Sequence, residues 1–120
     1  RLALPLHYAF SSTGITSVTI PNGVTHIGDY AFQFCESLTS VIIPNSVTGI
    51  GDHAFYGCSE LKAIVIPDKV EQIGYGAFYR CYSLMSIKYR GTQEEWNAIS
   101  KGTRWNYDTG SYTITYNYQG

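Results

Sequence analysis

The sequence predicts an α/β solenoid: stacked 23-residue coils building a parallel β-sheet of about five strands, closed by a C-terminal helix-and-strand cap. Shifting Thr39–Leu61 by 23 residues lays it on Thr16–Leu38 in one direction and on Lys62–Leu84 in the other. Pro21, Pro44 and Pro67 share one phase of that period, and the pairs Ala31-Phe32, Ala54-Phe55 and Ala77-Phe78 share another. A fixed period in this range marks a chain whose repeats touch only their neighbours and form a core by stacking.

Residues 1–14 read as a degraded first coil. Leu2, Leu4 and Leu6 alternate as in a short strand, and Tyr8-Ala9-Phe10 resembles the Ala-Phe pair. Phe10 to Ile15 is one residue shorter than Phe32 to Leu38, which places a deletion within Ser11–Gly14.

From residue 15 to residue 89 the register is strict. Inward positions hold Ile15, Leu38, Leu61 and Leu84, then Val18, Val41, Ile64 and Ile87, then Ile20, Ile43, Ile66 and Tyr89. Val24, Val47 and Val70, and Ile27, Ile50 and Ile73, follow the same rule. Within one coil Ser40-Val-Ile-Ile43 is β-branched with inward residues two apart, as a short strand requires. Pro44 ends that strand where a missing N–H does no harm, and Asn45-Ser46 turns the chain. Val47 and Ile50 suit a second, irregular extended side. Gly51 is expected to permit the next corner and Asp52 to cap a short helical turn that carries Ala54 and Phe55 inward.

Residues 90–120 are expected to form the cap. Thr92 and Glu95 stand in the order of a capping box, followed by Trp96 and Ile99 on one face of a helix ending near Gly102. Trp96 and Trp105 are expected in the core of this cap. The alternation over residues 112–118 aligns Ile114 with Ile87 and Tyr116 with Tyr89, giving a further strand 27 residues after the previous one.

The chain has 120 residues, 44% of them apolar, and a formal net charge of -1, so neither nucleic acid nor an anionic membrane is favoured as partner. No apolar run approaches the roughly 20 residues that span a bilayer. The start at Arg1, without Met or signal sequence, reads as a piece of a longer protein with further domains. Cys35, Cys58 and Cys81 sit one per coil at one phase, a spacing that suits neither disulfide pairs nor zinc, and they read as a ladder of buried thiols.

The pattern Leu-x-x-Val-x-Ile-Pro-x-x-Val-x-x-Ile-Gly-x-x-Ala-Phe-x-x-Cys, as it stands in Leu38 to Cys58, resembles the BspA-type leucine-rich repeat. The resemblance covers residues 15–89, and Gly91-Thr92 with Glu95-Trp96 is similar to the segment that closes such arrays. It implies a right-handed leucine-rich-repeat solenoid in a secreted or cell-surface bacterial protein, extracellular in location, with roles in adhesion and no catalytic residues in the repeat.

The residues themselves point away from catalysis. His26 and His53 occupy different phases, Asp52-His53 reads as a solvated pair, and Glu95 is accounted for by Thr92, so no catalytic, cofactor or metal site is expected. Binding positions are sought where the coils differ. Thr19, Ile42, Val65 and Lys88 form one outward column of the sheet, and Ser17, Ser40, Ala63 and Ser86 form another. A second surface is the corner carrying Tyr30, Phe34, Tyr56, Tyr75, Tyr79 and Tyr82, whose rings are placed to stack on sugars or to anchor a protein partner. The expected function is a non-catalytic adhesion module presenting these faces to host protein or glycan; the alternatives are a structural spacer or an accessory domain of a secreted hydrolase.

Overall fold

The computed structural model describes residues 8–120. The strand expected on Leu2, Leu4 and Leu6 lies outside the described residues. The β-branched run of each regular coil forms a short strand: β2 (Ser40–Ile42), β4 (Ala63–Ile66) and β6 (Ser86–Tyr89), joined in the cap by β8 (Thr113–Thr115). All pair in parallel, in order β2-β4-β6-β8, with Ser40, Ala63, Ser86 and Thr113 in one row. On the first-coil side the expected fifth strand is reduced to a single bridge between Thr19 and Ile42.

The second side of the coil is more regular than its sequence suggests. β1 (His26–Ile27), β3 (Gly49–Ile50), β5 (Gln72–Ile73) and β7 (Ser100–Lys101) build a second parallel sheet, in order β1-β3-β5-β7. Each strand is two residues long, yet each inward Ile is buried because its neighbours repeat it.

Between the sheets the Ala-Phe corner is a run of turns, not a helix. Two left-handed residues four apart recur in each: Tyr30 and Phe34, then His53 and Gly57, then Gly76 and Arg80. These bends aim backbone groups at the next coil, so that Phe32 N donates to Ala54 O at 2.7 Å and Phe55 N to Ala77 O at 2.8 Å. Asp52 does not cap its own turn. Its Oδ1 accepts from Tyr75 N at 2.9 Å in the following coil, as Asp29 Oδ1 accepts from Asp52 N at 2.8 Å. The reason is geometric: the following coil brings an N–H within reach, and a bond across coils stabilises the stack as well as the corner.

Phe10, Phe32, Phe55 and Phe78 stack through the core with centroids 5.1, 5.1 and 5.3 Å apart, and Trp105 meets Phe78 edge-on at 6.2 Å. Beside them Cys35, Cys58 and Cys81 are free and fully buried. Each thiol donates to a Phe carbonyl of the preceding coil: Cys35 to Phe10, Cys58 to Phe32 and Cys81 to Phe55, at 3.0, 3.1 and 3.1 Å. In the first coil Thr13 takes the place of the thiol, with Oγ1 3.7 Å from Cys35 Sγ, and the shortened stretch falls between Ser12 and Ile15.

The contact with Cys35 and burial both push the Cys58 thiol upward. Burial pushes Cys81 from the ordinary 9.0 up to about 12. A raised thiol holds its proton more tightly in the fold than in the unfolded chain, so its stabilisation is complete below pH 9 and is lost as the pH climbs toward 12. Denaturant titrations from pH 8 to 12 should show a Cys81 contribution that is flat below pH 9 and then falls by roughly 1 kcal/mol per pH unit toward pH 12. Cys81→Ala should lack that component; an identical slope in the variant would count against the buried-thiol assignment.

The cap follows its sequence signals with two corrections. Thr92 Oγ1 accepts from Glu95 N at 3.1 Å and Glu95 Oε1 accepts from Thr92 N at 2.8 Å, the reciprocal bonds of a capping box at the start of α1 (Gln93–Ala98). Trp96 is buried and meets Tyr89 at 5.2 Å and Trp105 at 5.8 Å, both edge-on. The helix ends at Ala98 instead of near Gly102, because Ser100 and Lys101 are claimed by β5 as the strand β7. Lys101 closes the helix, its Nζ donating to the carbonyls of Trp96 and Ile99 at 2.6 and 3.2 Å and lying over the Trp96 ring. Ile114 pairs with Ile87 as expected, but the register breaks after Thr115. Asn117 is left-handed, and Asn117 N and Tyr118 N donate to Gly91 O and Tyr89 O, so Tyr116 does not pair with Tyr89. No described helix is long and apolar enough to cross a membrane.

Candidate functional site

The outward face of the β2-β4-β6-β8 sheet is set by strand alternation: inward residues enter the core, and the residues between them face out. Pairing places Thr19, Ile42, Val65, Lys88 and Thr115 in one column, as periodicity predicts, with Ser40, Ala63, Ser86 and Thr113 beside it. Ile42 is 60% exposed and Thr19 is exposed; Lys88 is half-buried. Val65 is a correction: it retains only 6% exposure. Its side chain is flanked in the column by the longer Ile42 and Lys88, at the roughly 4.8 Å spacing of adjacent strands, which leaves solvent little access.

Two residues that sequence reasoning missed shape this face. Arg90 follows β6 at the phase of Pro21, Pro44 and Pro67. It runs back to line a recess with Ser17, Thr19, Ser40, Ile42 and Asn45. Its Nη1 donates to Tyr118 O at 3.4 Å, while its Cζ lies 5.4 Å and Lys88 Nζ 5.2 Å from the centroid of the Tyr118 ring. The Nε of Arg90 is buried without a hydrogen-bond partner. The signal for Arg90 was present in the sequence, as the one break in a proline column; Tyr118 carried none.

The aromatic corner is organised differently from a sugar-binding platform. Tyr8, Tyr30 and His53 stack face to face at 4.9 and 5.0 Å, and Tyr75 meets His53 edge-on. A second column runs Phe34, Tyr56, Tyr79, Tyr107, with Tyr56 and Tyr79 at 5.1 Å and 14°. Arg80 and Arg104 lie over the rings of Tyr79 and Tyr107. The faces of Tyr30, His53, Tyr56 and Tyr79 are therefore engaged by neighbouring coils, while Tyr8, Phe34, Tyr75 and Tyr107 stay exposed at the ends and edges of the columns. Tyr82 stands apart from both columns at 56% exposure.

Asp52 and His53 do not form a solvated pair: the carboxylate bonds to Tyr75 N, and the imidazole is half-buried in the ring column with its Nδ1 unpartnered. His26 is exposed, with Nδ1 3.1 Å from Thr25 Oγ1. Among the described residues no three His, Cys, Asp or Glu side chains converge as a metal site.

The BspA-type leucine-rich repeat region, as a family model, matches residues 6–114 in six copies. The chain belongs to the BspA-type leucine-rich repeat family. Two solved structures are similar to this BspA-type chain. A leucine-rich cell surface protein from Faecalibacterium prausnitzii shares 29% identity with a TM-score of 0.54, over 74% of this chain and 36% of that one. A leucine-rich repeat protein from Bacteroides ovatus shares 27% identity with a TM-score of 0.50, over 92% of this chain and 35% of that one. The BspA-type chain thus spans about a third of the length of these relatives. No curated protein matches it.

Proposed function

We propose that this BspA-type array is a non-catalytic binding module of a bacterial secreted or cell-surface protein, and that it takes a protein ligand on the outward face of the β2-β4-β6-β8 sheet. One observation carries the choice of face: inward positions keep their chemistry from coil to coil, while the outward column runs Thr19, Ile42, Val65, Lys88 and leaves Ile42 60% exposed beside a recess. Packing explains the constant positions and leaves the variable ones for recognition. The cell-surface description of the Faecalibacterium relative supports the location.

The test is a solid-phase array of extracellular-matrix proteins and glycans probed with the module. Saturable binding to at least one protein is expected. Ile42→Asp should weaken it at least tenfold without shifting the melting temperature, because the side chain is largely in water. Background signal across the array, or full binding by the variant, would overturn the proposal.

A further inference from the structure

We infer that the outward sheet face takes an extended protein segment that sets a carboxylate against Lys88 and Arg90 and an aliphatic side chain against Ile42. This deepens the sheet-face reading and rests on it.

The outward columns carry one charged residue, Lys88, and Arg90 follows its strand at the corner. The other column positions are Ser, Thr, Ala, Ile and Val, and the corners that follow hold Pro, Asn, Ser and Gly, with Asp68 and Lys69 in the third coil. Among the described residues the one ion pair joins Lys62 to Glu60 at 3.8 Å, so neither cation has a carboxylate in range. Asp68, one position beyond Pro67, lines a separate recess with Tyr89, Glu95 and Ile99. Both cations are instead gathered at the Tyr118 ring, at 5.2 and 5.4 Å. A carboxylate that reaches either cation gains a charge-assisted bond.

Arg90 shows the chemistry of that anion. Its Nη1 is engaged by the Tyr118 carbonyl and its Nε–H is buried, which leaves Nη2 to meet an acceptor from solvent. A carboxylate is the acceptor that a guanidinium N–H binds most strongly. Holding the group on a ring and a carbonyl also orders it before the ligand arrives, which lowers the entropic cost of binding.

The surroundings favour protein over glycan. Ile42 lies two coils from Lys88, roughly 10 Å at the strand spacing, within the span of two same-face residues of an extended peptide whose acidic arm reaches outward. Ser17, Ser40 and Asn45 in the recess offer hydroxyls and an amide to peptide groups. The aromatic ring on this side, Tyr118, is already engaged by two cations, so a sugar finds no open ring to stack on.

The test uses fluorescence anisotropy with three labelled probes: an alternating Glu-Val octapeptide, its Lys-Val counterpart, and a hyaluronan octasaccharide as an anionic glycan. The Glu-Val peptide should bind saturably, weaken as salt rises, and lose about tenfold or more in affinity with Lys88→Ala and with Arg90→Ala. Lys88→Ala removes a half-buried side chain from the surface and keeps the result readable if Arg90→Ala melts early. Equal binding of the Lys-Val peptide, preferential binding of the octasaccharide, unchanged affinity in Lys88→Ala, or no saturable binding up to roughly millimolar Glu-Val peptide each overturns the carboxylate assignment. The two readings separate on the array target: loss with Ile42→Asp but not with Lys88→Ala leaves the sheet face standing and removes its acidic ligand.

Discussion

Phe55→Ala should destabilise the protein by about 3–5 kcal/mol, the range for truncating a buried phenylalanine. Phe55 is fully buried, with Phe32 5.1 Å below it at 3° and Phe78 5.3 Å above it at 2°. Its removal leaves a cavity in the middle of the ring column, where neither neighbour can collapse without leaving its own stack. In a quasi-one-dimensional array each coil is held by the coils beside it, so a defect in the centre weakens both halves. Urea unfolding of wild type, Phe55→Ala and Phe10→Ala would measure this. The central variant should lose clearly more than the half-buried terminal one, and a midpoint unchanged in Phe55→Ala would refute the continuous column.

Gly74→Ala is expected to cost about 3 kcal/mol although it adds a single methyl, at the upper end of overpacking effects. A Cβ on Gly74 would meet Asp52 Oδ1, and would approach Asp52 N to 2.6 Å and the carbonyl carbon of Gly51 to 2.7 Å. Two of those atoms are backbone of the preceding coil and cannot rotate away. The carboxylate is the acceptor of the bond from Tyr75 N, so clash and lost hydrogen bond act together. Asp52→Asn keeps an acceptor in place and should cost far less. Thermal melts of both variants decide the matter: equal and small shifts would mean that the coils can separate at this corner without penalty.

The Gly74 case also explains where sequence reasoning stopped. Gly51 was expected to permit a bend, yet the left-handed residues of that corner are His53 and Gly57. Gly51 is small because the coil beneath it brings Asp29 N to 2.7 Å of where its Cβ would lie. The same blindness covers the outward sheet face. Thr19, Ile42, Val65 and Lys88 were assigned to one column from their spacing, and the pairing agrees. Which of them solvent reaches was not legible, because exposure depends on the lengths of flanking side chains and on Arg90 crossing from two coils away. The aromatic corner was legible as a cluster but not as two self-stacked columns.

The period, the inward face of every regular coil, the strands β2, β4 and β6, the thiol ladder and the capping box were legible in the residues alone. A repeated environment writes its requirements 23 residues apart, and a capping box needs only four neighbours. The tertiary structure alone decided which side chains the neighbouring coils cover, where the Asp52 carboxylate bonds, and that Lys88 and Arg90 meet on Tyr118. Those outcomes depend on contacts between successive coils, where a difference of one side-chain length across roughly 4.8 Å separates an exposed residue from a buried one.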